Sequence, residues 1–195
     1  MSRSIYLAIG CALAAASLAA ADIPTITLTP TPADLSDLDH TKVYLWGFTV
    51  ALDPGKTVVA AALKFDDIRN WDNQPNKLYA QLLDMTTVGV QQRNDNEGGG
   101  DYFANTYTGL HEHLVTYQNL TTTPRDLVFN FDATDLSKLN TYLADGRAGI
   151  GLDPDCHYYN NGVSLTLTTA HTPEPASYML LGVGGLAALR RRRGA

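Results

Sequence analysis

The chain has 195 residues, with 20 acidic and 14 basic side chains and a formal net charge of −6 at pH 7. This length accommodates one globular domain, alone or with processing segments. Residues 22–172 include 19 acidic and 9 basic side chains, a net charge of −10. Such a surface repels phosphates and offers no basic patch, so the composition argues against a nucleic-acid partner.

The first 21 residues have the pattern of a secretory signal peptide. A short segment with Arg3 precedes an apolar run over 5–16, and small residues follow at Ala19 and Ala21. Signal peptidase requires small side chains at two positions before its cleavage site. The sequence therefore predicts a removed signal over 1–21 and one exported domain over 22–172. Only Cys156 then remains, which excludes an internal disulfide and favours a buried thiol over one that pairs with another molecule.

The C-terminal end combines three features in a fixed order. A Pro-Glu-Pro sequence precedes an apolar stretch over 176–189, and a cluster of arginines over 190–193 follows; these residues are Pro173, Glu174, Pro175, Arg190, Arg191, Arg192 and Arg193. Arginines beside an apolar stretch stay on the cytoplasmic side, so the domain would face outward. As a helix the stretch is about 21 Å long, whereas the hydrocarbon core is about 30 Å thick. This length suits a transient sorting segment better than a permanent anchor.

The arrangement over 173–195 resembles the PEP-CTERM sorting tag. The resemblance implies recognition by an exosortase, an integral-membrane cysteine enzyme of Gram-negative bacteria that make exopolysaccharide, with cleavage near the Pro-Glu-Pro motif. It also implies inner-membrane association, transient or permanent, followed by delivery to the cell surface or the extracellular matrix. An ordinary tail anchor is the alternative for the same residues. Neither interpretation says what the central domain does.

In the central domain, β-branched and aromatic residues cluster in short runs that turn residues separate. The pattern predicts strands at 26–29, 43–52, 57–65, 77–83, 88–92, 102–107, 112–118, 126–131, 147–152 and 163–169. Short strands at this spacing are typical of an all-β antiparallel sandwich, and we expect a jelly-roll-like fold. Leu136, Leu139 and Leu143 recur at helical spacing, which predicts one short helix over 134–143, capped by Thr134, that crosses between the sheets or closes one end of the sandwich.

The densest group of polar residues lies over 153–161. Asp153, Asp155 and Asn160 offer carboxylate and amide oxygens, which are the ligands that Ca²⁺ prefers, so calcium is the cofactor that the sequence suggests. The alternative is a tight turn in which Pro154 fixes the backbone and Asp153 caps it. A second acidic loop over 94–101 also offers oxygens, but it lacks the spacing of an EF-hand.

Two further groups of residues have patterns related to catalytic or metal sites. His111 and His113 fall on one face of a predicted strand, and His157 is a candidate third ligand for a transition metal. Asp66 and Asp67, or the two aspartates of the calcium loop, are candidate carboxylate pairs for a hydrolase, although adjacency in sequence does not place them across a cleft. Because no Gly-x-Ser-x-Gly sequence occurs in the chain, a nucleophile elbow is excluded and we predict a non-enzymatic protein.

The domain also contains more aromatic rings than its core must bury, namely Trp46, Trp71, Tyr79, Tyr102, Tyr107, Tyr117, Tyr158 and Tyr159. Exposed rings beside Asn and Asp can bind sugar faces by stacking and hydrogen bonding, although aromatic residues favour strands in any case. The sequence thus leads to three hypotheses. The first is a non-enzymatic protein of the cell surface or the exopolysaccharide matrix, the second a Ca²⁺-assisted carbohydrate-binding module, and the third a secreted hydrolase.

Overall fold

The computed structural model describes residues 24–171, apart from residues 86, 97, 98 and 108. The predicted signal peptide over 1–21 and the sorting tag over 173–195, with its apolar stretch and arginines, lie outside the described residues. Within the described part of the chain, no helix is both long enough and apolar enough to cross a membrane.

The described residues form two antiparallel sheets. The first sheet has the order β1 (Thr25–Leu28), β10 (Gly162–His171), β3 (Lys56–Asn70) and β7 (Arg125–Asn130), and the short strand β9 (Tyr158–Tyr159) pairs with the end of β3. The second has the order β5 (Gly89–Asn94), β2 (Lys42–Thr49), β8 (Arg147–Pro154), β4 (Lys77–Leu83) and β6 (His111–Gln118). Two helices, α1 (Tyr102–Thr106) and α2 (Ala133–Tyr142), complete the description, and a 3-10 turn over Leu143–Asp145 follows α2.

The strand order agrees with the jelly-roll-like fold that the sequence predicts. When the edge strand β5 and the short β9 are set aside, the remaining eight strands lie as first, eighth, third and sixth in one sheet. In the other sheet they lie as second, seventh, fourth and fifth. This is the order in which a double-sheet jelly roll arranges its strands.

Alternation along the strands directs apolar side chains into a core between the sheets. On β10, Val163, Leu165 and Leu167 are buried, whereas the hydroxyl residues between them are half-buried on the other face. Trp46 and Ile150 of the second sheet belong to the same buried cluster as these β10 residues of the first. The two sheets therefore share one hydrophobic core, as successive side chains of a half-buried strand require.

The predicted helix over residues 134–143 is confirmed as α2, but its predicted cap is wrong. Asp132, not Thr134, is the N-cap: its carboxylate accepts hydrogen bonds from the backbone N–H groups of Thr134 and Asp135. The Asp135 carboxylate accepts one in return from the Asp132 N–H, which closes a capping box. The helix contacts strands of both sheets, which both expected placements require.

The strand predicted at 102–107 is wrong, because residues Tyr102–Thr106 form α1. Asp101 caps this short helix by accepting a hydrogen bond from the Phe103 N–H at 3.0 Å. The ring of Phe103 is fully buried with Val43, Leu45 and Leu83 in a small second cluster on the outer face of the second sheet. The segment that contains α1 therefore covers that face and buries side chains which would otherwise be exposed.

Candidate functional site

The covering segment buries a carboxylate on the outer face of the second sheet. Along β8 the side chains alternate, so Leu152 joins the main core and Asp153 points the opposite way. Asp153 is nevertheless 0 % exposed. Its Oδ2 accepts a hydrogen bond from the Tyr102 N–H at 2.8 Å, and its Oδ1 is buried without a hydrogen-bond partner among the described residues.

A buried amide lies beside this carboxylate. Gln81 on β4 is 0 % exposed, and its Nε2 donates a hydrogen bond to Asp101 Oδ2 at 2.6 Å and lies 3.0 Å from His113 Nδ1. Its Oε1, like Asp153 Oδ1, is buried without a hydrogen-bond partner in the described part of the chain. Two buried acceptor oxygens thus lie on one face of the sheet, and each belongs to a side chain held by the consecutive residues Asp101 and Tyr102.

Negative charge accumulates around these oxygens. Burial raises the pKa of Asp153 to about 7; the Tyr102 N–H opposes this shift, and the charges of Asp95, Asp101 and Asp155 add to it. Burial also raises the pKa of Asp155 to about 6, against the lowering effect of Lys77. We call Asp95, Asp101, Asp153 and Asp155 together with Gln81 the acidic cluster. Its electrostatics favour the arrival of a proton or a cation.

The acidic cluster contains two of the three predicted calcium ligands. Asp153 and Asp155 belong to it, but Asn160 lies between β9 and β10 of the other sheet, where its Nδ2 donates a hydrogen bond to the Asp34 carbonyl at 2.9 Å. Among the described residues, no three His, Cys, Asp or Glu side chains form a group that is ready to hold a metal ion. Calcium binding therefore stays a prediction. The residues that surround Asp153 and Asp155 are those of the acidic cluster and do not include Asn160.

The three candidate histidine ligands do not come together. His111 Nδ1 lies 2.8 Å from the Tyr107 carbonyl, and His113 contacts Gln81 through Nδ1 and Thr116 through Nε2. His157 packs against the ring of Tyr159 near the first sheet, with ring centroids 4.9 Å apart. The predicted histidine site is therefore wrong for this fold.

The adjacent carboxylates Asp66 and Asp67 are used in surface pairing. Asp66 lies 2.8 Å from Lys64 Nζ, and Asp67 accepts a hydrogen bond from Asn161 Nδ2 at 2.8 Å. Asp67 is exposed and Asp66 is half-buried. Each carboxylate thus has a surface partner.

A second candidate site is an exposed patch of rings at the end of β3. Arg69 pairs with Tyr159 in the β3–β9 register, and the Trp71 N–H donates to the His157 carbonyl at 3.0 Å. By strand alternation Arg69 and Tyr159 share the outward face of the β3–β9 pair, and Trp71 and His157 directly flank the two strands. We call these four residues the aromatic patch; the neighbouring Tyr158 is buried. Trp71 is 58 % exposed and Tyr159 is 37 % exposed. The guanidinium carbon of Arg69 lies 5.1 Å from the Tyr159 ring centre.

Other aromatic residues from the sequence prediction are placed in the interior. Trp46 and Tyr158 are buried in the main core, and Tyr117 packs edge-on against Phe65. Tyr102 and Tyr107, which belong to the covering segment, are half-buried and pack against Phe103. Cys156 is half-buried, unpaired and packed against the main core.

Beyond the sandwich, residues 171–193 match the family model of the PEP-CTERM protein-sorting motif. The chain carries a PEP-CTERM sorting motif. A comparison with curated proteins gave no match. The PEP-CTERM motif begins at His171, which is also the last residue of β10, so it follows the final strand of the first sheet without a gap. The motif therefore assigns a sorting route to the chain and leaves the two candidate sites of the domain for separate arguments.

Sequence reasoning missed Gln81, Asp101 as a specific neighbour of Asp153, and Arg69. A signal for Gln81 was present, because a polar residue between apolar ones in a strand marks the outward face. Nothing local indicates that this face is covered, since the cover comes from α1, which the sequence predicted as a strand. Arg69 joins the aromatic patch only through the pairing of β3 with β9, and β9 was not predicted.

Proposed function

We propose that this chain is an exported, non-enzymatic protein which an exosortase sorts to the cell surface or the extracellular matrix, where the β-sandwich is a structural or adhesive component. The observation that carries this proposal is the match of residues 171–193 to the PEP-CTERM sorting motif. An acidic domain, soluble through its charge, is compatible with such a location. Signal peptidase and the exosortase are then its processing partners, and its inner-membrane stage precedes display.

The non-enzymatic assignment is supported by the use that the fold makes of its carboxylates. Asp66 and Asp126 share an ion pair with Lys64, and Asp132 caps α2. Asp153 is covered by α1 and faces no open cleft. A glycosidase of the usual kind needs two carboxyl groups on either side of a substrate-sized space.

The sorting proposal can be tested in a host that has an exosortase. The triple substitution of Pro173, Glu174 and Pro175 to alanine should leave the full chain in the inner-membrane fraction, whereas the wild type should reach the surface or the medium. A matched control replaces Thr121, Thr122 and Thr123 with alanine, which changes three loop residues of the sandwich. Surface labelling and fractionation give the readout, and equal surface delivery of the Pro-Glu-Pro variant would contradict the proposal.

A second candidate function is carbohydrate binding, which the aromatic patch supports. Exposed rings on a fixed strand pair offer flat apolar faces beside the polar groups of Arg69 and His157, the combination that sugar rings require. The strand that carries Tyr159 is joined to the core, because the neighbouring Tyr158 is buried and donates a hydrogen bond to Asn76 Oδ1 at 3.0 Å. A host exopolysaccharide is the natural partner for a protein displayed at the surface.

For this candidate, the full chain is sedimented with insoluble host exopolysaccharide. Trp71→Ala should abolish retention, because it removes the most exposed ring of the aromatic patch. Val128→Ala is a matched control, since Val128 is a similarly exposed apolar residue elsewhere on the first sheet. Equal retention of both variants would exclude the patch as the binding surface, and no retention of the wild type would leave the sorting proposal intact.

A further inference from the structure

We propose that the acidic cluster binds one divalent cation of the calcium class, with Asp153 and Gln81 as its first side-chain ligands. The site lies between the outer face of the second sheet and the residues 99–107 that cover it. It does not include Asn160, and it depends neither on the sorting motif nor on the aromatic patch.

The unpaired oxygens are the first observation. Asp153 Oδ1 and Gln81 Oε1 are both buried, and neither has a hydrogen-bond partner among the described residues. The two residues are diagonal neighbours on one face of the sheet, because Tyr79 pairs with Asp153 and Gln81 pairs with Gly151 across the β4–β8 ladder. Buried acceptors without donors are costly, and a hard cation satisfies several oxygens at once.

The local charge is the second observation. The charges of Asp95, Asp101 and Asp155 all act on Asp153, and Lys77 offsets part of the charge on Asp155. Carboxylates crowded in a poorly hydrated place repel one another unless protons or a cation compensate them. A divalent cation beside Asp153 would reduce this repulsion and would hold the covering segment onto the sheet.

The expected calcium affinity follows from the number of neutral and acidic oxygens that the site offers. The Gly99 carbonyl accepts a hydrogen bond from Tyr79 Oη at 3.4 Å, and a Cβ at Gly99 would lie 4.0 Å from Asp155 Oδ2, so the backbone at Gly99 lies near Asp155. Ca²⁺ takes six to eight oxygens of this mixed kind. Because three acidic side chains do not converge closely here, the affinity should fall in the range of extracellular calcium modules, with a Kd of about 10⁻⁴ to 10⁻³ M.

The test uses terbium as a calcium substitute on the full chain after treatment with EDTA. Tyr79 contacts the covering segment at Gly99, and Tyr102 in that segment contacts Asp153. Both rings are therefore near the site, so bound terbium should luminesce when tyrosine is excited. Calcium should quench this signal by competition and should raise the unfolding temperature. Asp153→Asn should weaken binding about tenfold or more, since it removes the charge of a direct ligand. Asp66→Asn removes an equal charge on the other sheet and should leave binding unchanged.

Two results would overturn the proposal. The first is the absence of saturable, calcium-sensitive luminescence in the wild type, together with an unfolding temperature that calcium does not change. The second is equal binding by the wild type and a folded Asp153→Asn variant, which would place any cation elsewhere. In either case protonation of Asp153, or water molecules that donate to the two oxygens, would account for them. Circular dichroism of the variant shows whether it is folded.

Discussion

The ring of Phe103 occupies the space that a side chain at residue 151 would need. A Cβ placed on Gly151 would lie 2.6 Å from Phe103 Cζ, far closer than non-bonded carbon atoms approach. Strand β8 therefore accepts α1 on its outer face because it carries glycine at this position. The contact fixes the covering segment above Asp153 and links the packing of one ring to the geometry of the acidic cluster.

We expect Gly151→Ala to destabilise the domain by about 1 to 3 kcal/mol, because the added methyl group must displace the Phe103 ring. Urea unfolding measures this free energy. In a Phe103→Leu background the same substitution should cost clearly less. The smaller leucine side chain leaves more space for the added methyl group, and residues in contact have coupled effects on stability. An equal cost in both backgrounds would show that the Phe103 ring does not rest on Gly151.

This contact also explains where sequence reasoning failed. Residues 102–107 include three aromatic side chains, which favour strands, and nothing in the local pattern predicts a helix. The helix forms because Asp101 caps it and because Gly151, about fifty residues later, leaves a place for Phe103. Such a long-range fit between a ring and a glycine is invisible to local periodicity.

Elements with a regular alternation were predicted well. Strand β4 has the predicted bounds because its residues alternate between inward Leu78, Ala80 and Leu82 and the outward positions between them. The calcium ligands predicted from the sequence fall in different sheets because a strand ends between them. Asp153 lies in β8 of the second sheet, whereas Asn160 follows β9 of the first sheet.

Asp132→Ala should lower the free energy of unfolding by about 1 kcal/mol, because it removes the acceptor for two N–H groups at the start of α2. Thr134→Ala, at the position that the sequence indicated as the cap, is the matched comparison. Thr134 is exposed, so its replacement should change stability by no more than about 0.5 kcal/mol. Thermal unfolding of both variants measures the two losses of stability. A larger loss for Thr134→Ala than for Asp132→Ala would indicate that Thr134 is the cap.

Removal of two buried tyrosine hydroxyls, each by substitution with phenylalanine, should have different effects on the free energy of unfolding. Tyr158 Oη donates a hydrogen bond to Asn76 Oδ1 at 3.0 Å, so Tyr158→Phe should cost about 1 kcal/mol. Tyr117 Oη is buried without a hydrogen-bond partner among the described residues, and burial raises the pKa of Tyr117 to about 12. Tyr117→Phe removes an unsatisfied polar group, so it should be neutral or stabilising by up to about 1 kcal/mol.

Denaturant unfolding of the two variants under identical conditions gives the comparison. The shape change is the same in both cases, which leaves the hydrogen bond as the difference. Destabilisation of Tyr117→Phe as large as that of Tyr158→Phe would mean that the Tyr117 hydroxyl is paired in solution, for example by a water molecule.

The side-chain amide of Asn140 in α2 pairs with the edge of β3 where β7 does not reach. Strand β7 pairs with β3 from Ala62 onward, and Val58 lies before that point. There Asn140 Oδ1 accepts a hydrogen bond from the Val58 N–H at 2.9 Å, and its Nδ2 donates one to the Val58 carbonyl at 2.8 Å. One side-chain amide thus satisfies both backbone groups of a buried residue at an otherwise open edge.

Asn140→Leu should therefore destabilise the domain by about 2 kcal/mol, because it leaves two backbone groups unpaired. It should also speed hydrogen exchange of the Val58 amide, while the Leu63 amide, which lies where β7 covers β3, keeps its protection until global unfolding. Asn140→Asp is the informative comparison, since it keeps the acceptor for the Val58 N–H and loses only the donor to the carbonyl. If Val58 exchanges no faster in Asn140→Leu than in Asn140→Asp, the edge is protected by packing of α2 rather than by the amide pair.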